Sequence, residues 1–309
     1  MADALGFLGK MGIKVVGAWD SAYAAVDVAI PFLNESFTPN YTRMQVNSLI
    51  GYGGREPSEQ GNFNGPGAIE AELDYNNFGL LIKAVMGAEA GGVYTIVDQL
   101  DQFAWVEFEK QIGRHRVGAN VFHKMVISGA KDEICKIAFD AFARSFDVSG
   151  TAFPGISPAA MTKTRFTDMA FRIGDQANAL AGGDAVEIES FEITLDRSMK
   201  LDDYVNDQTP IQPVEGDFRV CGFNIKLPRY AADTFIDWKE ADTPLQADFI
   251  FTRGAESITI QLTEVRVTGG FDSPIGGPNP LTVEGELEAY RGGAHGYMYA
   301  GNEMKITIV

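Results

Sequence analysis

AIEAELDY, residues Ala68–Tyr75, decides the reading of this chain. Ile69, Ala71, Leu73 and Tyr75 alternate with Glu70, Glu72 and Asp74, the period of a strand that buries one face and wets the other. The same alternation returns in VEGELEAY, residues Val283–Tyr290, where Glu284, Glu286 and Glu288 form the polar set. It also marks Trp105–Lys110, Val121–Ile127, Phe218–Leu227, Ala247–Thr252, Ser257–Val267 and Met304–Val309. Strands therefore dominate. Two stretches break the rule with helical spacing. In Asn76–Gly87, Phe78, Leu81, Ile82 and Val85 share one face, Asn76 or Asn77 can cap the start, and Gly87 can end it. Ala231–Asp242 is the second.

Each helix follows a strand that ends in Tyr, at Tyr75 and Tyr230, and this points to a duplication. Glu35-Ser36-Phe37 recurs as Glu189-Ser190-Phe191 at nearly the same spacing. Gly12–Ile30 resembles Phe171–Ile188, and Val121–Phe146 lines up with Glu264–Gly292, all in one order. The predicted division is a first half over 1–150 and a second over 151–309, with a Gly- and Pro-rich linker of about Asp147–Asp184 between them. Each half carries one long polar insertion, Thr38–Gly67 and Asp196–Gly216. Loops of that length are usually functional or become ordered against a partner.

The chain has 309 residues, 45% hydrophobic and 22% charged, enough to bury a sizeable core. Its net charge of -17 is opposite to what a phosphate-gripping groove requires. Cys135 and Cys221 have no metal or disulfide spacing. The opening residues lack a secretory pattern, and no stretch is long and apolar enough for a membrane helix. The three histidines are poorly placed for catalysis. His115 lies between Arg114 and Arg116, His123 alternates with Met125 on a strand, and His295 sits in a Gly-rich stretch. No nucleophile elbow, zinc pair, phosphate loop or calcium loop is present, so no enzyme, cofactor or metal is expected. Trp19, Trp105 and Trp238 leave open a carbohydrate-binding module, although the last two sit in patterns that favour core packing.

The order of an ESF-type strand, a long polar loop, a strand leading into a helix that ends in Gly87, and a later hairpin resembles the tail tube proteins of long-tailed bacteriophages. The similarity is to the roughly 300-residue group in which one tube fold occurs twice. It implies a mainly β chain of two tandem β-sandwich or barrel folds, each flanked by a helix. It further implies a structural virion protein whose three copies make a pseudo-hexameric ring, with rings stacked into a tail tube through which DNA passes. Tape measure, tail tip and terminator proteins would be its partners, with assembly in the host cytoplasm and no membrane. About 24 strands spaced by ~4.8 Å give a circumference on the order of 115 Å, hence a wall roughly 40 Å across. On this reading Glu70, Glu72, Asp74, Glu284, Glu286 and Glu288 are candidates for a negative lining that DNA does not stick to. Arg55, Glu56, Asn62, Phe63, Asp202 and Tyr204, in the two insertions, are candidates for contacts between rings. The inner tube of a contractile injection machine is the neighbouring alternative.

Overall fold

Alternating apolar residues become strands here because each strand can bury one face against a second sheet, and the long antiparallel ladders satisfy the backbone. The computed structural model of the chain describes residues 8–45, 57–111, 113–149, 152–229, 232–271, 283–292 and 302–309. Its first half runs β1 (Lys10–Val16), β2 (Val28–Ile30), β3 (Asn34–Glu35), β4 (Asn40–Met44), β5 (Glu59–Glu72), α1 (Gly79–Met86), β6 (Gly87–Ala90), β7 (Val93–Ile96), β8 (Phe103–Glu109), β9 (Arg114–Ala130), β10 (Lys136–Ala143) and β11 (Ser145–Ser149). Then come β12 (Met169–Asp175), β13 (Ser190–Asp196), β14 (Met199–Lys200), β15 (Val214–Glu215), β16 (Val220–Leu227), α2 (Thr234–Glu240), β17 (Leu245–Arg253), β18 (Glu256–Gly270), β19 (Val283–Ala289) and β20 (Met304–Ile308).

β9 is long enough to serve two sheets. Its first part pairs with β8 and β11, and its second part pairs with β10 and β13. β1 and β2 extend the first of these sheets beyond β8, and β5 with β3 and β4 extends the second beyond β10. The C-terminal strands pair in the same order. β12 joins β17, β17 joins the start of β18 together with β20, and the end of β18 joins β19, then β16, then β13. Among the described residues the strands do not close into a barrel.

The irregularities repeat as well as the order. The β8–β9 ladder shifts between Ala104↔Asn120 and Val106↔Val117, with Ala119 at φ 44. The β17–β18 ladder shifts between Leu245↔Val265 and Ala247↔Leu262, with Glu264 at φ 47. A non-glycine residue with positive φ is uncommon, so one bulge with the same left-handed residue in both ladders is a specific match. A second shift, Asp140↔Lys124 to Ala141↔Phe122, has its counterpart in Gly269↔Glu286 and Val267↔Leu287.

Both sandwiches share one apolar core. It runs from Met11, Phe122 and Phe139 through α1 to Phe191, Phe223 and Phe249, and each large side chain removed from water contributes about 1.5–3 kcal/mol. A smaller cluster of Trp19, Phe103, Ala119, Val121 and Phe142 is covered by Met199 and Leu201 from the second half. α1 buries Leu81, Ile82, Val85 and Met86 and ends at Gly87, whose φ of 98 suits a residue without Cβ. Neither Asn76 nor Asn77 caps it. Phe78 occupies the cap position, and the N–H groups of both asparagines bond to Asp74 instead.

Two sequence expectations change here. Much of the polar insertion 38–67 is not loop, because Asn40–Met44 pairs with the first part of β5 as a projecting arm. The stretch read as linker contains β12, and its residues Thr162–Thr164 bond to Leu73, Tyr75 and Cys135 as a short added ladder.

Candidate functional site

The second of the two sheets served by β9 continues from one half into the other. Its order is β3 with β4, then β5, β10, the end of β9, β13, β16, β19 and the end of β18. Alternation and burial fix its faces. Ile69, Phe139, Ile127, Ile193, Phe223 and Leu287 point into the core, so the residues between them form the opposite face. Glu70 and Glu72 on β5 therefore lie on the same side of the same sheet as Glu284 and Glu286 on β19. The sequence reading missed three further acids on this side, Asp140, Glu192 and Asp196, although the alternation in Lys136–Ala143 and Ser190–Asp196 carries the signal. A shallow concavity here is lined by Ser128, Lys136, Glu192, Asn224, Glu284 and Glu286.

Lysines are interspersed among these carboxylates. Lys136 lies 3.4 Å from Glu70, Lys163 3.4 Å from Glu72, and Lys226 3.5 Å from Glu284. Asn34 donates to Glu70 at 2.6 Å, and this bond, helped by Lys136, holds the Glu70 carboxyl below the ordinary range. Acids remain in excess on the face. Glu288, at the end of its ladder, is half-buried, accepts from the Tyr290 hydroxyl at 2.8 Å and stands opposite Arg266. Asp74 does not belong to the ladder. It lies past the end of β5, is 1% exposed, and spends its Oδ1 on the Asn76 and Asn77 N–H groups and on Asn77 Nδ2.

Of the residues singled out in the insertions, Phe63 and Tyr204 meet. The segment after β14 folds back over the first half, where the Tyr204 hydroxyl donates to the Phe63 carbonyl at 2.5 Å and the Phe63 N–H donates to the Gln208 carbonyl at 2.8 Å. Trp19 Nε1 donates to the Pro210 carbonyl at 3.0 Å. Asn62 shares a surface depression with Tyr204 and Gln208, and Asp202 is exposed on the same segment. Arg55 and Glu56 lie outside the described residues.

A sequence model described as phage tail tube protein matches residues 7–289. The chain belongs to the phage tail tube protein family. No curated protein matches it. Members of this family are structural components of the virion tail and assemble with themselves into a tube.

The remaining described candidate groups are buried, half-buried or packed against the core. Burial pushes the Cys135 thiol up to about 12 and raises that of Cys221 as well, so neither is a poised nucleophile. Burial also lowers the pKa of His115 and His123. His115 packs edge-on against Phe146, and His123 sits on β9, where its carbonyl accepts from the Arg197 N–H at 2.9 Å. His295 lies outside the described residues. Trp19 and Trp105 are buried and Trp238 is packed against the core, so the three do not form an aromatic platform. Among the described residues no group of three His, Cys, Asp or Glu is placed to hold a metal.

Proposed function

We propose that this chain is the major tail tube subunit of a long, non-contractile phage tail and that it acts without catalysis. Its halves, divided near residue 150, are copies of one fold. Three chains close a pseudo-hexameric ring, and stacked rings form the channel through which DNA leaves. Both acidic ladders lie on one face of one hydrogen-bonded sheet, and this observation carries the reading. Each half supplies four strands to that sheet, so three chains supply about 24, the number for which a wall roughly 40 Å across was expected. An acidic lining repels phosphates and lets DNA slide. Glu70, Glu72, Glu284 and Glu286 line the bore, and Asp74 only braces the end of β5. The described parts of the first insertion, 40–45 and 57–67, and the segment 202–211 touch a neighbouring ring. Tape measure, tail tip and terminator proteins are the expected partners, met in the host cytoplasm.

Electron microscopy of the purified, concentrated protein tests this, with mass measured in parallel. Hollow rings of three chains, or tubes built from them, are expected, whereas a species that stays monomeric at every concentration overturns the reading. In assembled tubes, Glu284→Lys with Glu286→Lys leaves the ring intact but makes it retain DNA at low salt. Retention by unsubstituted tubes would remove the lining assignment.

A further inference from the structure

Within one chain the two halves are joined by a defined seam. β13 pairs with the end of β9 from Ser190↔Ala130 to Asp196↔Lys124. The chain then crosses the first half. Arg197, fully buried, donates to the carbonyls of Val85, Met86 and Val97 at 3.1, 3.3 and 2.7 Å and pairs with Glu215 at 2.5 Å. Beyond it, Met199 and Leu201 cover the apolar floor that includes the cross-strand pair Phe142↔Val121.

Part of each side of this seam exists a second time, unpaired across the seam among the described residues. Gly269 and Gly270, at the end of β18, stand where Lys124 and Met125 stand in β9, and their described strand partner is β19. The counterpart of β13 is the strand 34–44, which pairs only with β5. The registers correspond: Asn34↔Glu70↔Ala138 in the first half matches Ser190↔Lys226↔Glu284 in the second. Arg43 faces Gln60 three residues beyond Asn40, as Met199 faces Glu215 three residues beyond Asp196. The floor differs. Where the first half has Phe142↔Val121, the second has Glu288↔Arg266, with Glu264 in place of Ala119. Arg266 is already engaged by Glu264 at 2.7 Å and by the Asp242 carboxylate at 3.3 Å, which leaves an acidic surplus. Arg43 is exposed and forms no ion pair among the described residues.

We infer that the seam between chains repeats the seam within the chain with its apolar contact replaced by an ionic one: residues 39–41 of one copy pair with residues 268–270 of the next, Asn40 opposite Gly269, and Arg43 lands on the Glu264/Glu288 floor. This rests on the ring reading above and specifies its contact. The chemistry suits a subunit that must stay dissolved before it assembles, since an exposed floor of Phe and Val would aggregate whereas a charged one does not. The edge is blunted in the same sense. Pro39 removes one donor from the ladder, and the Phe37 N–H is satisfied by its own Glu35 carboxylate at 3.0 Å.

Cysteine pairing tests the register. Asn40 has the non-hydrogen-bonded geometry across the seam that Asp196 has, for which Cα atoms lie about 4.5 Å apart, within disulfide range. Asn40→Cys mixed with Gly269→Cys should give disulfide-linked pairs of chains on assembly, and Asn40→Cys alone should not. Arg43→Glu should fold as the unsubstituted chain does by circular dichroism and raise the concentration needed for ring formation about tenfold at low salt, an effect that shrinks as salt rises. Adding Glu288→Arg should restore assembly. Rings or tubes that form without the 40–269 link, or that ignore Arg43→Glu at low salt, overturn this seam and leave the tube reading standing. Absence of any ring from the unsubstituted chain under all conditions overturns both.

Discussion

The first and second halves share strand order, bulges and helix placement, yet they treat the same aromatic motif in opposite ways. Gly61-Asn62-Phe63 lies within β5, and Gly216-Asp217-Phe218 lies just before β16. Phe63 is 5% exposed, beside Tyr41 and beneath the Tyr204 segment of the second half, whereas Phe218 is 92% exposed. Phe63 stands in a paired strand, with Tyr41 opposite, and Phe218 in the irregular stretch between β15 and β16, so the two differ in backbone as well as in what covers them. The first half is finished by the second half of its own chain. Among the described residues the second half has no such cover, and in the proposed ring its surface is the face another copy meets.

The comparison can be pushed hardest at Arg197, which joins the halves. Arg197→Ala strips the end of α1 of its capping guanidinium and leaves Glu215 unpaired, and it should cost about 3–5 kcal/mol, read from the urea midpoint. A loss below about 1 kcal/mol would mean that the seam is held by its strand ladder alone. Next comes the aromatic pair. Phe63→Ala should lose about 3 kcal/mol, and Phe218→Ala should change chain stability by no more than about 0.5 kcal/mol. Equal losses from the two would break the contrast between a covered and an uncovered half. The smallest effect is a pH dependence at the seam. Burial keeps His123 neutral, its pKa lowered against the opposing pull of Asp196 and Asp140. The unfolded chain therefore binds the extra proton first, and stability present above about pH 6.5 is lost as pH falls through the lowered value. In thermal melts, His123→Gln should flatten the part of the decline between pH 7 and 5 that this side chain causes, and an unchanged slope would clear the imidazole.

Much of the sheet was legible because one wet face and one dry face leave a period of two in the sequence, as in Ala68–Glu72 and Ser257–Val267. The duplication was legible as order but not as register. The ESF match sets Phe37 against Phe191, whereas the ladders set Glu35 in the Phe191 position. A slip of two residues keeps every side chain on its own face, so word matching cannot detect it. The arm at Asn40–Met44 was read as loop because it is exposed along its length and carries no alternation. Asp74 was misplaced because alternation continues past the point where Leu73 and Tyr75 leave β10 for Thr164 and Thr162. The shared acidic face was only half visible. Each ladder could be seen alone, but their placement on one sheet depends on the β9–β13 pairing, which joins residues distant in sequence.

Among the described residues the hairpin of β6 and β7 has no counterpart in the second half, and it pairs with β20 through Thr95↔Lys305 and Tyr94↔Ile306. Residues so far apart along the polypeptide meet slowly, because closing a loop of that size costs entropy first. Until β20 has been made, the margin at β7 lacks this partner strand. The order of synthesis therefore leaves part of the first half open until β20 of the second is in place.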